Sequence, residues 1–264
     1  MNPALNNLQL YPFQRLNALK SAVSAPPSEK SHIALSIGEP KHPAADIFVQ
    51  ALQDESVIRQ GFGTYPATLG SAELRTSIAE WLGQRFGSKV DAETEVLPVS
   101  GTREALFSIG QAVLSGKPGA TALLPNPFYQ IYEGAILLRG AEPVFMPTTR
   151  DTGYLPDFSA ISEATWRRCE LLYLCSPGNP TGAVLDLEAF EELLELRDRY
   201  DFVIASDECY SEIYQDESAP PTGLLEACTK TGRDDFRGCL VFHSLSKRSN
   251  LPGLRSGFVA GDAK

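Results

Sequence analysis

The feature that most constrains the fold of this chain is a series of short apolar segments that alternate with helical segments from residue 96 onward. A continuous apolar run such as LLYLC (residues 171–175) is typical of a strand buried on both faces of a sheet. Residues 186–200 have the periodicity of an amphipathic helix. This alternation predicts an α/β fold with a largely parallel sheet between two layers of helices. The other strands are predicted at residues 96–99, 121–124, 202–205 and 239–242, with a helix at 102–114.

The part of the chain before residue 96 is less regular. A short strand is predicted at residues 32–37, helices at 43–55 and 71–86, a linker at 24–31 and a glycine-rich loop at 61–70. Ser71 is the expected cap of the second helix. The loop contains Tyr65, but Pro66 stands where a dinucleotide-binding motif needs its third glycine. A dinucleotide site is therefore not expected there.

Charge and composition exclude several classes of protein. The chain has 264 residues and a net charge of -10, so non-specific binding to nucleic acid or to anionic membranes is not expected. Its five cysteines include no C-x-x-C pair, which argues against a zinc ribbon and favours reduced thiols. No segment approaches the roughly 18 apolar residues of a spanning helix, and the first residues lack the apolar core of a signal peptide. A cytoplasmic protein is expected, with no metal site.

Polar groups follow the predicted strands at the points where the strands end. Because the carboxyl ends of parallel strands meet at one edge of a sheet, these groups should lie together there, where ligands bind in such folds. The residues brought to this edge are Ser100, Gly101, Thr102, Tyr129, Asn179, Asp207, Tyr210, Lys247 and Arg255.

A glycine turn leads into the helix predicted at residues 102–114. Gly101 at this turn would leave several backbone N–H groups free at the positive end of the helix, which suits a phosphate group. The same residues also make a good capping sequence with Ser100 or Thr102 as the cap, and both interpretations remain open.

Lys247 follows the apolar strand CLVF and precedes Arg255 by eight residues. A partly desolvated lysine among polar neighbours can form a Schiff base near neutral pH, whereas an isolated lysine is usually an exposed loop residue. The other groups at this edge favour the Schiff-base lysine.

These segments together resemble the class I and II aminotransferases of the fold-type I pyridoxal-phosphate family. The matching segments, in family order, are SGTREA, NPFY, SPGNPTG, SDECY and SLSK with an arginine eight residues on. Within the family, the segment SLSKRSNLPGLRSGFVAGDA is most similar to N-succinyldiaminopimelate aminotransferases. The resemblance covers about residues 30–261 and implies pyridoxal 5'-phosphate as the cofactor.

The resemblance also implies a role for each matching residue. Lys247 would form the Schiff base and then act as the base, Asp207 would pair with the ring nitrogen, and Tyr210 would bind the phenolic oxygen. The remaining cofactor-binding residues would be Gly101, Thr102, Arg103, Tyr129, Asn179, Ser244 and Arg255, with Tyr65 reaching the phosphate from the partner of a homodimer. Gly38 and Asn179 would contact substrate.

The family pattern further implies a division of the chain. Residues 1–40 would be an N-terminal arm and the start of a small domain, and residues 41–264 would be the large cofactor-binding domain. Family members continue beyond the lysine strand into the rest of the small domain, which carries the arginine for the substrate α-carboxylate. The 264 residues by themselves are therefore expected to have an incomplete small domain and no turnover.

The activity implied is transamination from glutamate to a 2-oxo acid, with N-succinyl-2-amino-6-oxopimelate of lysine biosynthesis as the favoured acceptor. The matching residues serve the cofactor rather than the outcome of the reaction, so a carbon–sulfur lyase on the same fold remains an alternative. A non-catalytic cofactor-binding module is another alternative, although no basic helix-turn-helix extension is visible.

Overall fold

The computed structural model describes residues 1–24, 29–31 and 33–264. Its centre is a seven-stranded sheet in the order β1-β7-β6-β5-β4-β2-β3. The strands are β1 Val96–Val99, β2 Thr121–Asn126, β3 Glu142–Pro147, β4 Cys169–Cys175, β5 Val203–Asp207, β6 Cys239–Ser244 and β7 Gly257–Gly261.

Five neighbouring strands of this sheet, β3, β2, β4, β5 and β6, are parallel to one another. The exception is β7, which pairs antiparallel with both β6 and β1. The prediction of a mixed, mostly parallel sheet is therefore confirmed. All five strands predicted after residue 96 are present, and most are one or two residues longer than the apolar runs that indicated them.

Helices surround the sheet and also precede it. They are α1 Pro12–Ser21, α2 Asp46–Ala51, α3 Glu55–Gly63, α4 Ala72–Phe86, α5 Thr102–Val113, α6 Ile131–Leu138, α7 Glu163–Trp166, α8 Leu187–Tyr200, α9 Leu224–Lys230 and α10 Leu245–Arg248. Short 3-10 turns occur at Pro3–Asn7, Arg150–Thr152, Phe158–Ala160 and Pro252–Leu254. None of the helices in the described ranges is long and apolar enough to cross a membrane.

Two hydrophobic clusters pack on opposite faces of the sheet. Alternate residues of β4 point to opposite sides, so Leu172 belongs to one cluster and Tyr173 to the other. The first cluster includes residues of α4, α8 and α9, and the second includes residues of α5 and α6. This arrangement confirms helices on both faces and leaves the carboxyl ends of the parallel strands uncovered by either layer.

The region before the sheet differs from the prediction in three places. Residues 33–37 form no strand, and His32 and residues 25–28 of the predicted linker lie outside the described residues. The helix predicted at 43–55 is shorter and covers only α2, and a separate helix, α3, begins where the Asp54 carboxylate accepts the Ser56 N–H at 2.9 Å and caps it. That second helix continues to Gly63, into the predicted loop. The helix at 71–86 is confirmed, with Ser71 capping the Leu74 N–H at 3.2 Å.

Candidate functional site

A cavity of about 1500 Å³ lies at the carboxyl ends of the parallel strands. The segments that follow β2, β4, β5 and β6 all contribute to its wall, as the sequence predicts. Of the predicted site residues, the cavity is lined by Gly38, Thr102, Arg103, Tyr129, Asn179, Asp207, Tyr210, Ser244, Lys247 and Arg255. Tyr65 is fully exposed and does not line it.

Asp207 ends β5 at the floor of the cavity and is buried. Its Oδ2 accepts a hydrogen bond from the Tyr132 hydroxyl at 2.7 Å, and its Oδ1 accepts one from the Cys209 N–H at 3.3 Å. Burial raises the pKa of this carboxyl, while the hydrogen bonds from Cys209 and Tyr132 act in the opposite direction. No lysine or arginine of the described ranges pairs with it. A buried carboxylate that faces a cavity without a cation partner suits a ligand with a protonated ring nitrogen.

Tyr132 contacts the candidate site through Asp207, and the sequence analysis did not assign it to the site. It lies on α6, fully buried, with its ring stacked on Tyr173 at a centroid distance of 4.7 Å. Tyr173 is fixed in turn, because its hydroxyl donates to the Leu106 carbonyl at 2.8 Å. In the sequence, Tyr132 looks like an aromatic residue that only packs in the core. The one local indication of another role is its hydroxyl, which needs a hydrogen-bond partner when the side chain is buried in an apolar segment.

The turn before α5 has no side-chain cap, and its Thr102 lines the cavity, whereas Gly101 is buried and does not line it. Gly101 is the N-cap with a φ of 100°, and no side chain caps this helix. The prediction that Ser100 or Thr102 is the cap is therefore wrong, because the glycine in this conformation turns the chain without using a hydroxyl. The first N–H groups of α5 are left for a ligand, which favours the phosphate interpretation.

Arg255 lies directly against this turn. A Cβ on Gly101 would be 2.1 Å from Nη2 of Arg255, so only glycine permits the guanidinium to sit there. The nearest carboxylate to Arg255 is that of Glu104 at 3.8 Å, with both side chains about half exposed. Ser244 ends β6 beside them and caps the Ser246 N–H at 3.1 Å. An arginine and uncapped N–H groups are the donor set that a phosphate group requires.

Lys247 lies in the short helix α10 that follows β6. Its Nζ donates a hydrogen bond to the Gly38 carbonyl at 2.7 Å, so the predicted substrate turn and the predicted Schiff-base lysine meet in the cavity. Among the residues that the structure describes, no carboxylate forms an ion pair with this amine. Lys247 is half-buried and is held only by a neutral partner.

The other predicted cofactor residues stand around the same space. Asn179 is exposed and Tyr210 is half-buried, and neither side chain makes a hydrogen bond within the described ranges. Burial raises the pKa of the Tyr210 hydroxyl to about 12, so it stays protonated and can donate. Arg103 Nε donates to the Tyr129 hydroxyl at 2.6 Å, which fixes the tyrosine ring at the cavity wall. Arg103 therefore lines the cavity beside Tyr129 and holds that side chain in place.

The five cysteines are free thiols, with Cys169, Cys228 and Cys239 buried. Cys209 lies beside the site, where its Sγ is 3.3 Å from Thr102 Oγ1. No group of side chains suited to a metal ion occurs in the part of the chain that the structure describes.

Comparison with known proteins agrees with this geometry. The family model described as aminotransferase class I and II matches residues 30–264. The chain is 34% identical over 259 residues to an LL-diaminopimelate aminotransferase of Nitratidesulfovibrio vulgaris, covering 98% of this chain and 64% of that protein. An LL-diaminopimelate aminotransferase of Halothermothrix orenii is 33% identical over 258 residues, with coverages of 97% and 63%. The chain thus spans somewhat less than two thirds of the length of these curated relatives.

Solved structures give the same result. An aminotransferase from Neisseria meningitidis Z2491 superposes with a TM-score of 0.92 at 49% identity, covering 100% of this chain and 66% of that one. The aminotransferase AspB from Helicobacter pylori 26695 superposes with a TM-score of 0.88 at 38% identity, with coverages of 97% and 65%.

Proposed function

Because this chain belongs to the class I and II aminotransferase family, whose members use pyridoxal phosphate, we propose that it forms the cofactor-binding part of an aminotransferase. The observation that carries this proposal is that Asp207 at the end of β5 and Lys247 just after the neighbouring β6 line one cavity, together with Thr102 at the start of α5 and Arg255. A primary amine, a buried carboxylate and a phosphate site are the three groups that this cofactor requires.

The residues present fit the cofactor. Gly101 leaves room for Arg255 and for a phosphate, and the Asp207 carboxylate has no cation partner among the described residues. The phosphate would be held by the N–H groups of Gly101 and Thr102, by Ser244 and by Arg255. Lys247 would carry the cofactor aldehyde, with Tyr129 against the ring. When bound, the cofactor withdraws electrons from the substrate Cα and so makes its proton removable.

The chain's own residues would supply the remaining steps. Asp207 would hold a proton on the ring nitrogen, since a carboxylate beside that atom favours its charged form. Asn179 and Tyr210 would donate hydrogen bonds to the phenolic oxygen. Once the substrate amine has displaced it from the aldehyde, Lys247 Nζ would be a free amine that can take the proton from the substrate Cα and later donate it, as a general base and then a general acid. Gly38 and Asn179 would contact the substrate.

We infer that the substrates belong to diaminopimelate and lysine biosynthesis, with glutamate as the amino donor. The relatives named above support the pathway, and the motif around Lys247 favours N-succinyl-2-amino-6-oxopimelate as the acceptor. The large cavity has room for a long dicarboxylic substrate beside the cofactor. Arg103 has two terminal nitrogens without hydrogen-bond partners in the described ranges, and it offers a positive group to a substrate carboxylate at the wall.

A homodimer also belongs to this proposal. Tyr65 is fully exposed, and several large apolar side chains of residues 33–74 are exposed with it, including Leu35 at 89% and Phe62 at 89%. A second copy of the chain would cover this surface and bring Tyr65 to the phosphate of the neighbouring site.

The experiment is a two-product assay on the complete gene product with pyridoxal phosphate. We expect 2-oxoglutarate to form from glutamate only when an acceptor is present. Turnover should be faster with N-succinyl-2-amino-6-oxopimelate as the acceptor than in the reaction that forms LL-diaminopimelate. The opposite order would transfer the substrate assignment to LL-diaminopimelate and keep the aminotransferase. Release of pyruvate and ammonia from a sulfur-containing amino acid, without 2-oxoglutarate, would instead identify a carbon–sulfur lyase.

A further inference from the structure

A second acid and base lie directly behind the site, on the opposite face of the sheet. Glu208 and His243 have side chains that are only 2% and 1% exposed, and Nε2 of His243 is 3.2 Å from Oε2 of Glu208. Nε2 of His243 makes no hydrogen bond in this contact, although the two atoms are close. Nothing in the mechanism above uses either residue.

Each member of the pair is next in sequence to a group of the site. Glu208 follows Asp207 at the end of β5, and His243 precedes Ser244 at the end of β6. Because successive side chains of a strand point to opposite faces, Asp207 faces the cavity while Glu208 faces the other helix layer. The Glu208 N–H also donates to the Phe242 carbonyl at 3.0 Å, so the backbones of the two strand ends are joined at this point.

Glu208 also ties these strand ends to their surroundings. Its Oε1 accepts the Ser206 hydroxyl at 2.9 Å and the Leu224 N–H, at the start of α9, at 2.8 Å. A Cβ on Gly223 would be 2.8 Å from Oε2, so the chain approaches the carboxylate closely. The carboxylate therefore links β5, β6 and the N-terminus of α9.

Aromatic rings enclose the imidazole of His243. Its centroid is 5.2 Å from that of Trp81, 5.6 Å from Phe86 and 5.1 Å from Phe258. Two guanidinium groups lie over these rings, that of Arg248 4.0 Å from the Trp81 ring and that of Arg85 4.4 Å from the Phe86 ring. The imidazole and the carboxyl group are thus a buried polar pair in an apolar layer.

Stability alone is a poor reason for such a unit. Taking two charges out of water costs about as much as their attraction returns, and apolar residues of similar volume often stabilise a fold equally well. Removing one partner is different, because it leaves an uncompensated buried charge. The position of the pair, one residue from Asp207 and four residues before Lys247, is what distinguishes it from the apolar packing around it.

We propose that Glu208 and His243 are positioning residues, whose buried pair fixes the ends of β5 and β6 so that Asp207 and Lys247 reach the same bound cofactor. This inference rests on the proposed function. His243 is also among the groups that lower the pKa of Asp207 against the larger effect of burial. The pair would thus set the distance between Asp207 and Lys247 and the electrostatic environment of Asp207.

The test uses variants of the complete gene product that separate stability from position. His243→Phe fits the aromatic surroundings but leaves Glu208 unpaired, so the melting temperature should fall. The double variant Glu208→Gln, His243→Phe contains no buried charge, and its glutamine still accepts hydrogen bonds from Ser206 and Leu224. Its melting temperature should return toward that of the wild type.

The decisive readouts are the pH midpoint of the visible absorbance of the lysine-bound cofactor and the separate values of kcat and KM. In the double variant the pH midpoint should differ from that of the wild type even though the melting temperature recovers. Its kcat should be about tenfold below the wild-type value, as is typical when a supporting group is removed, while KM changes little. The single variant Glu208→Gln should show the same displacement. It changes one atom of the side chain and answers the question even where the double variant does not fold.

Arg197→Met is the matched control, because Arg197 is buried against Gly238 at the opposite end of β6. It should lower the melting temperature and leave the midpoint unchanged. A double variant or a Glu208→Gln variant with the wild-type midpoint and kcat would overturn the positioning role and leave the proposed function intact. A wild-type protein that forms no lysine-bound cofactor would overturn both.

Discussion

The hydroxyl of Tyr132 donates a 2.7 Å hydrogen bond to Oδ2 of Asp207, and both side chains are buried. The two residues are 75 positions apart, on α6 and at the end of β5. This contact holds one oxygen of the carboxylate while the Cys209 N–H holds the other. Asp207 is therefore fixed in orientation before any ligand is present, which is the preorganisation that a group acting on a cofactor needs.

Tyr132→Phe should lower kcat by about tenfold or more, because a hydrogen bond to a charged group is worth roughly 1.5–3 kcal/mol. Cofactor should still bind, since the phosphate and Lys247 are unchanged. Steady-state kinetics with saturating cofactor measure this effect. Tyr173→Phe is the matched control, because it removes the buried hydroxyl that donates to Leu106 and does not contact Asp207. A Tyr132→Phe variant with the wild-type kcat would show that the hydrogen bond has no part in the reaction.

Asp207→Asn should change the pH dependence of stability in the cofactor-free protein. Burial raises the pKa of Asp207 above its usual value near 3.8, so the stability from this group is complete at low pH and is lost as the pH rises through the raised folded pKa. The wild type should therefore lose stability relative to Asp207→Asn as the pH rises above about 4. Bound cofactor should reverse this loss by pairing with the carboxylate.

Melting curves at several pH values measure the difference. Asp216→Asn is a suitable control, because Asp216 is exposed and the Ser218 hydroxyl and N–H lower its pKa instead. Parallel curves for the wild type and Asp207→Asn would contradict the raised pKa.

Arg255→Ala and Gly101→Ala should both weaken cofactor binding at the phosphate. The first removes a charge-assisted contact to phosphate. The second places a methyl group 2.1 Å from Nη2 of Arg255 on a residue whose φ is 100°, and so it displaces the guanidinium and strains the turn. Excess pyridoxal phosphate should largely restore activity in Arg255→Ala. Titration of the visible absorbance gives the dissociation constants.

Arg237→Ala is the control for charge, since Arg237 pairs with Asp201 on the surface and does not line the cavity. Unchanged cofactor affinity in Arg255→Ala would place the phosphate elsewhere.

The sheet could be predicted because its strands are continuous apolar runs that end in polar turns. Leu171 to Leu174 are buried on both faces, and such runs have few alternatives in an α/β chain. The antiparallel direction of β7 could not be predicted in the same way, since an apolar run has no direction until it finds a partner. The end of α2 at Ala51 and the start of α3 at Glu55 were missed, because the capping residue Asp54 lies inside a segment whose helical periodicity continues to residue 55.

That most of the candidate residues lie around one cavity could be predicted by resemblance and by their positions at strand ends, but their contact partners could not. Tyr132 meets Asp207, and Glu208 meets His243, only after the strands pair. At Gly101 the phosphate and capping interpretations both remained open, and no local pattern predicts that the guanidinium of Arg255, 154 positions away in the sequence, lies against this glycine. Contacts of this range have no local signal.

The identity of the lysine that carries the cofactor is the most direct test of the whole account. The complete gene product, loaded with pyridoxal phosphate, is reduced with borohydride, digested and mapped by mass spectrometry. The account predicts a pyridoxyl group on Lys247, and no label in Lys247→Ala under the same conditions. Lys230 is an internal control, because it pairs with Glu226 on α9 outside the cavity and should remain unlabelled. A specific label on any lysine other than Lys247, or no label in the wild type, would contradict the proposed site.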